Sequence, residues 1–332
     1  MTHNVQFPEL GLNFELNPVA FSIGSFSVQW YGIIIAVGFL LAIIYGFRSA
    51  GKMRINKDGL FDAIIVGLIC GIIGARLYYV IFYPGDKYIN NPLLIFNIKE
   101  GGLGIYGGII GGMAGGAVMA KIRKMSIPAV LDVASIGFLI GQGVGRWGNF
   151  INQEAFGVAT TLPWGMRSDM TELEVVGNVH PCFLYESILC FIGVILLHLF
   201  TRKLRQYDGQ TFLLYVVWYG ASRFFIEGLR TDSLMVPYID LRVSQVVAAV
   251  SVLAAVVMLI VFRRRTSLTG CGSRKVMELN GISEEKKDDM AVEVTESTIF
   301  TRDYDKPDVD GKADDDAGAG DGSEADKEDK KE

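Results

Sequence analysis

The chain has 332 residues, 50% of them hydrophobic, and a mean hydropathy of +0.33. That composition excludes an ordinary soluble domain and points to a polytopic membrane protein. The formal net charge of −5 averages two unlike regions: from Thr266 onward 20 Asp and Glu stand against 10 Lys and Arg, whereas residues 1–265 carry 21 Lys and Arg against 16 Asp and Glu.

Residues 1–25 have no basic n-region ahead of an apolar run. They read as a short external segment, not as a cleavable signal peptide. A helix of about 20 apolar residues crosses a bilayer. Seven runs meet that requirement: residues 26–47, 60–82, 102–120, 127–145, 182–200, 211–229 and 243–262. The expected fold is therefore an all-α bundle of seven transmembrane helices over residues 26–263. Residues 264–332 form an acidic tail with too little apolar surface to offset its ordering entropy, and are expected to be disordered.

Basic loops set the orientation. Arg48, Lys52, Arg54 and Lys57 follow the first run, and Lys121, Arg123 and Lys124 follow the third. Arg202, Lys203 and Arg205 follow the fifth, and Arg263, Arg264 and Arg265 follow the seventh. Every second loop is basic, which places the N-terminus outside and the C-terminus in the cytoplasm.

With that orientation the buried charges gather at one depth. Arg76 lies 14 residues beyond Asp62, about 21 Å up its helix and in the outer third. Arg146 emerges at the outer face. Arg223, Glu227 and Arg230 follow i, i+4, i+7 spacing and share a helix face near the outer mouth. Tyr31, Tyr106, His180, Tyr185 and Glu186 fall at the same level. Four arginines meet three carboxylates there, Glu154, Glu186 and Glu227. The charges either neutralise one another or leave an excess that a bound anion balances.

Other features read as structural. Gly104, Gly108, Gly112 and Gly116 form a small-xxx-small row, as do Gly107, Gly111 and Gly115, and allow close helix approach. Asp62, Asp132 and His198 lie near cytoplasmic helix ends. Cys70, Cys182, Cys190 and Cys271 have no metal-site or disulfide spacing and read as small hydrophobic side chains. Basic residues are confined to loops, so nucleic acid is not an expected partner.

Residues 145–157 read Gly-Arg-Trp-Gly-Asn-Phe-Ile-Asn-Gln-Glu-Ala-Phe-Gly. Trp30-Tyr31-Gly32, Gly74-Ala75-Arg76, His180-Pro181 with Leu184-Tyr185-Glu186, and Tyr219-Gly220 leading to Arg223-Phe224, Glu227 and Arg230 complete a set. In these five pieces the chain resembles the prolipoprotein diacylglyceryl transferase family, whose signature is Gly-Arg-x-x-Asn-Phe-x-Asn-x-Glu-x-x-Gly. The resemblance covers about residues 18–263. It implies a seven-helix bundle with a small external head in the bacterial plasma membrane. The implied reaction moves the diacylglyceryl group of phosphatidylglycerol to the lipobox cysteine of a prolipoprotein signal peptide, with glycerol 1-phosphate leaving. It implies no metal or other cofactor.

The resemblance assigns Arg146 to lipid binding and Arg223 to catalysis. Asn149, Asn152 and Glu154 orient the arginines or the headgroup, with Glu154 placed in the catalytic set, and Glu227 and Arg230 support Arg223. Tyr31, Arg76 and Gly157 complete the substrate-binding set. Tyr106 stands where many members have histidine, and a free phenol, with a pKa of about 10, is a poor base near neutrality. Tyr106 then hydrogen-bonds the headgroup or relays a proton, and His180 either supplies the base or caps the fifth helix. The competing readings are an anion or lipid transporter, which calls for polar groups through the whole bilayer and internal repeats, and a non-catalytic lipid-binding protein. An intramembrane hydrolase calls for a nucleophile beside a base, and neither Ser135 nor Cys190 has one in sequence.

Overall fold

The computed structural model describes residues 2–24, 26–97, 101–231, 235 and 242–263. The acidic tail lies outside the described residues. Among those described, the seven helices of 18 residues or more are α1 (Trp30–Ala50), α2 (Lys57–Ile81), α3 (Ile105–Ile122), α4 (Ile127–Asn152), α5 (Cys182–Lys203), α6 (Gln210–Glu227) and α7 (Val243–Phe262). Each expected run is a helix. All but α6 are long and apolar enough to cross a membrane, and the molecule is an all-α polytopic membrane protein in its main body. Tyr215, Trp218, Tyr219, Arg223 and Glu227 make α6 the more polar one.

Helix α4 is the axis of the bundle. It packs against α1, α5 and α6, and α7 packs on α6. Its buried positions run from Ala129 through Ile136, Leu139 and Gly143 to Phe150. The start of the helix is set by Ser126, whose Oγ accepts from the Ala129 N–H, and by Pro128 in the first turn, where a missing N–H costs nothing. Polar contacts lock its neighbours to it. Trp147 Nε1 donates to Ser187 Oγ at 3.2 Å, Ser187 donates to the Gly143 carbonyl at 2.9 Å, and Gln142 donates to the Tyr215 hydroxyl at 3.0 Å.

Helices α2 and α3 form the closest pair in the molecule. The glycine rows of α3 meet a second row on α2, Gly67, Gly71 and Gly74. A Cβ at Gly67 would stand 3.1 Å from the Gly112 carbonyl oxygen, and one at Gly71 would stand 3.4 Å from that of Gly108. A Cβ at Gly107 would collide with the Gly74 backbone. Lipid tails offer no hydrophobic drive for helix association, so backbone-to-backbone packing of this kind supplies it instead. Gly107→Val is expected to part α2 from α3 and cost at least about 3 kcal/mol, beyond ordinary overpacking, because the obstacle is main chain and cannot swing away. A thermal melt in detergent measures it.

Two small antiparallel sheets cap one end of the bundle. Strands β1 (His3–Phe7), β2 (Leu12–Leu16) and β5 (Arg167–Ser168) are ordered β2-β1-β5, and β3 (Val19–Ile23) pairs with β4 (Phe26–Gln29) as a hairpin. The lead-in expected over residues 1–25 is thus regular sheet, and the first helix starts four residues later than its apolar run, at Trp30. Val5 and Phe7 of β1 pack with Phe150, Phe156, Met166, Val179 and Phe183 into a core that seats the sheet on the end of α4. The same end carries Arg146.

Candidate active site

Helix α4 continues seven residues past the expected run, through Asn152. Arg146, Asn149 and Asn152 therefore lie on helix at i, i+3, i+6 and share one face. The helix ends because Gln153 takes a left-handed conformation, φ 55°, and Ala155 repeats it at φ 59°. Two non-glycine residues at positive φ within three positions are strained. The turn they make folds Glu154 back over the helix. Asn149 Nδ2 donates to Glu154 Oε1 at 2.9 Å, and Asn152 Nδ2 donates to the same oxygen at 3.4 Å. Asn149 Oδ1 in turn accepts from Arg146 Nη1 at 3.3 Å. The relay runs from an exposed carboxylate through an amide to a guanidinium, and it fixes the direction of Arg146.

Glu186, buried on α5, is the hub of the site. It forms an ion pair with Arg146 from α4, accepts from Arg223 Nη1 of α6 at 2.8 Å, and stands 3.8 Å from Arg230 Nη1. Arg223 also pairs with Glu227 one turn on, at 2.6 Å. Three guanidiniums thus converge on two carboxylates. The carboxylates are 4% and 3% exposed, whereas Arg146, Arg223 and Arg230 keep 18%, 19% and 12% of their side chains accessible. The anions are sealed in and the cations reach the surface. A cleft behind the cluster is walled by Leu139, Cys190, Trp218 and Tyr219.

Arg230 is held in place by a short piece of sheet. Gly157 and Arg230 form an antiparallel bridge, Gly157 N donates to the His180 carbonyl at 2.9 Å, and Val158 N donates to that of Leu229 at 2.8 Å. A Cβ on Gly157 would come within 2.7 Å of His180 Cβ and 2.9 Å of Cys182 Sγ. Gly157 therefore acts through close approach of three backbones. Tyr31 lies with its ring against Gly148, two residues from Arg146, where a Cβ would stand 2.6 Å from the ring.

Three residues assigned from sequence sit differently from expectation. Arg76 spends all five of its N–H donors on backbone carbonyls: Nε on Ile95, Nη1 on Gly101 and Gly102, and Nη2 on Leu94 and Asn97, at 2.7–2.9 Å. No donor remains for a phosphate in this arrangement. Its charge is further accommodated by the face of Tyr88, 5.4 Å away. Tyr106, on α3, has its ring against Tyr78, and among the described residues no hydrogen bond or ion pair joins it to the arginines.

His180 is the third. Trp164 Nε1 donates to the Tyr185 hydroxyl oxygen at 2.8 Å, and that hydroxyl lies 3.2 Å from His180 Nδ1. An indole N–H can only donate, so the phenol oxygen is the acceptor from Trp164, and the three side chains form one hydrogen-bonded set. Burial lowers the His180 pKa from its ordinary 6.5, which favours the neutral ring. His180→Gln is expected to retain transfer within about tenfold and leave the pH profile in place, because Nδ1 is engaged with Tyr185 and, among the described residues, the ring contacts none of the clustered arginines, whereas loss of a general base costs 10²–10⁴-fold. Loss of the alkaline rise in rate would restore the histidine as base.

Comparison with known proteins matches the family profile described as prolipoprotein diacylglyceryl transferase to residues 18–261. The chain belongs to the prolipoprotein diacylglyceryl transferase family. Among relatives named phosphatidylglycerol–prolipoprotein diacylglyceryl transferase, that of Bacillus velezensis is 42% identical over 260 residues, covering 75% of this chain and 93% of the relative. That of Clostridioides difficile is 40% identical over 242 residues, 73% and 94% of the two chains, and that of Bacillus cereus strain G9842 is 42% identical over 261 residues, 77% and 95%. The matched region takes in the helical bundle up to the next-to-last residue of α7 and every residue of the arginine cluster, and ends before the acidic tail. Within this transferase family frame, Glu186 is the residue that sequence reasoning left out of the site. Its depth was legible, and Leu184-Tyr185-Glu186 was among the matching pieces.

Proposed function

We propose that the protein transfers the diacylglyceryl group of phosphatidylglycerol to the lipobox cysteine of prolipoprotein signal peptides. The thiol sulfur bonds to the glycerol carbon, the bond from that carbon to the phosphate oxygen breaks, and glycerol 1-phosphate leaves with the electron pair. The thiol proton passes to solvent or to a base outside the arginine cluster. What carries this reading is the convergence of Arg146, Arg223 and Arg230 on Glu186 and Glu227. Guanidiniums that reach the surface suit the phosphodiester of that lipid.

Arg146 binds the phosphate as a planar fork, aimed by Asn149 and Glu154 with Asn152 beside them. Arg223 meets the charge that grows on the departing phosphate, so it acts on the transition state more than on the ground state. Glu227, Glu186 and Arg230 hold Arg223 in place. Arg76 positions the backbone at Leu94, Ile95, Asn97, Gly101 and Gly102, and Gly157 positions Arg230. Tyr31 lines the lipid side of Arg146. Tyr106 touches lipid or peptide without serving as base.

We place the site at the outer face of the bacterial plasma membrane, with the sheets as an external head and residues 264–332 as a cytoplasmic tail. The alternation of basic loops supports this orientation. In it α6 crosses too and brings the crossings to seven, its 18 residues spanning about 27 Å and its polar end buried in the cluster rather than in lipid. A transporter is not favoured, because the described charges collect at the two ends of the bundle and leave its middle apolar.

The test is direct. Purified protein in liposomes is given phosphatidylglycerol and a lipobox peptide. Peptide mass gain matched by glycerol phosphate release is expected. Neither product forming, with folded protein and both substrates present, would overturn the assignment.

A further inference from the structure

Three inter-helix loops and the last turn of α7 meet at the end of the bundle away from the arginine cluster. Ile127, where α4 starts, lies 19 residues from Arg146, about 28 Å along the axis. Around it the α1–α2 loop packs Met53 and Ile55 with Leu60 of α2 and Ala129 of α4. Arg123, just past α3, forms an ion pair with Asp62 of α2. Ser126, at the start of α4, donates to Asp208 of the α5–α6 loop at 3.1 Å. Tyr207 of that loop meets the ring of Phe262 edge-on, with centroids 6.1 Å apart. These contacts join the four pieces into one continuous rim.

The rim is basic. Lys52, Lys57, Lys121, Lys124 and Lys203 are all exposed on it. Asp58 is its one exposed carboxylate among the described residues, since Asp62 faces Arg123 and Asp132 is buried against Arg205. Insertion into a membrane accounts for the sign of this end. It supplies no counter-charge. The chain carries one. It leaves the described structure at Arg263, next to Phe262 and so on the rim itself. Residues 284–332 hold 19 Asp and Glu against 8 Lys and Arg, eleven negative charges over. The 20 residues between, 264–283, reach at most about 70 Å when extended. That exceeds the width of a bundle of seven helices set about 8–10 Å apart.

We propose that the acidic segment, residues 284–332, docks on the basic rim of its own chain. Tethering at Arg263 makes the encounter intramolecular, which raises the effective concentration of the tail without any added contact. Docking by opposite charge asks for charge density and reach, and for no fold, so a segment with little apolar surface can do it. The rim lysines then meet carboxylates of the tail where they would otherwise meet anionic headgroups of the adjacent leaflet. The tail and the rim share one end of the molecule, so the proposal does not depend on which side of the membrane that end faces.

The test is carbodiimide cross-linking of the full, unaltered chain, which joins a carboxylate to a lysine only where the two touch. Light and isotopically heavy chains are mixed in bicelles of phosphatidylglycerol and phosphatidylcholine in equal parts, and the linked peptides are identified by mass. Links from carboxylates of residues 284–332 to Lys52, Lys57, Lys121, Lys124 or Lys203 are expected, with both peptides from one isotope. Raising the salt from about 0.1 M to about 1 M is expected to cut their yield at least about fivefold, as the screening length falls from about 10 Å to about 3 Å. Lys87, exposed beyond the far end of α2, reports chance collision. Tail links to the rim no more frequent than links to Lys87, or links confined to lysines of the tail itself, overturn the proposal. Links found only between light and heavy chains overturn it in favour of a second copy, and a yield indifferent to salt overturns the electrostatic basis. Absence of rim links in these bicelles, with links in zwitterionic ones alone, assigns the rim to anionic lipid and also overturns it. No readout needs transfer activity, so the outcome is independent of the transferase assay.

Discussion

Glu186→Gln is expected to lower the transfer rate by about 10²–10³-fold, the range found when one fixed electrostatic element of a reacting centre is removed. Glutamine keeps the shape of the side chain and one acceptor. It removes the charge that holds Arg146, Arg223 and Arg230 within one site. The arginines then repel one another and Arg223 is left with Glu227 alone. Lipid binding is expected to suffer less than the chemical step, because one more uncompensated cation still attracts a phosphate. The readout is kcat against KM for phosphatidylglycerol, with a thermal melt as the control for folding. A fall in kcat with KM near its original value agrees with the hub role. A rate within about threefold of the unaltered protein contradicts it.

Asp132→Ala carries the largest expected cost in stability, about 3–5 kcal/mol, because it takes the nearest described carboxylate from a buried guanidinium. Arg205 is fully buried, and Asp132 is its closest carboxylate. The loss is compounded at α6. The two Asp132 oxygens accept from Gly209 and Phe212, so a side chain of α4 caps the first turn of another helix. Asp132→Asn keeps the shape and one acceptor and is expected to lose less. Melting temperature in detergent, with urea or SDS titration as a second measure, ranks the two variants. Equal stability of Asp132→Ala and the parent would remove this residue from the account of how α6 is anchored.

The helices were legible in the sequence because a bilayer imposes a length and a composition, and every run but the more polar one of α6 obeys both. Their ends were not. The apolar run before Trp30 joins strand and helix without a polar break, so β4 and α1 read as one element. At the far end of α4, Arg146 stops the hydropathy but not the helix, since Arg146, Asn149 and Asn152 continue on a single face. The strands escaped notice for a different reason. Each has five residues or fewer, and β1 pairs with β5 more than 160 positions away, which no local pattern records.

Depth along a helix could be read from residue number, and it brought Arg146, Arg223, Arg230 and Glu186 to one level. Direction around the helix could not. Arg76 shares that level yet turns to the carbonyls of Leu94, Ile95, Asn97, Gly101 and Gly102, which use its five donors. Tyr106 shares it too, but α3 is drawn to α2 by glycine and its tyrosine stays with Tyr78. Glu186 is the converse case. Only the convergence of three helices distinguishes it from a carboxylate that neutralises one neighbour.

The central claim is that Arg146 grips the lipid phosphate. It is tested most directly by Arg146→Ala beside Arg146→Lys in single-turnover transfer from phosphatidylglycerol to a lipobox peptide. The account predicts a loss of about 10³-fold for alanine, with lysine recovering part of it because a point charge replaces a bidentate fork. Melting temperatures should stay close to the parent's. Near-parental transfer by Arg146→Ala, with phosphatidylglycerol affinity unchanged, would contradict it.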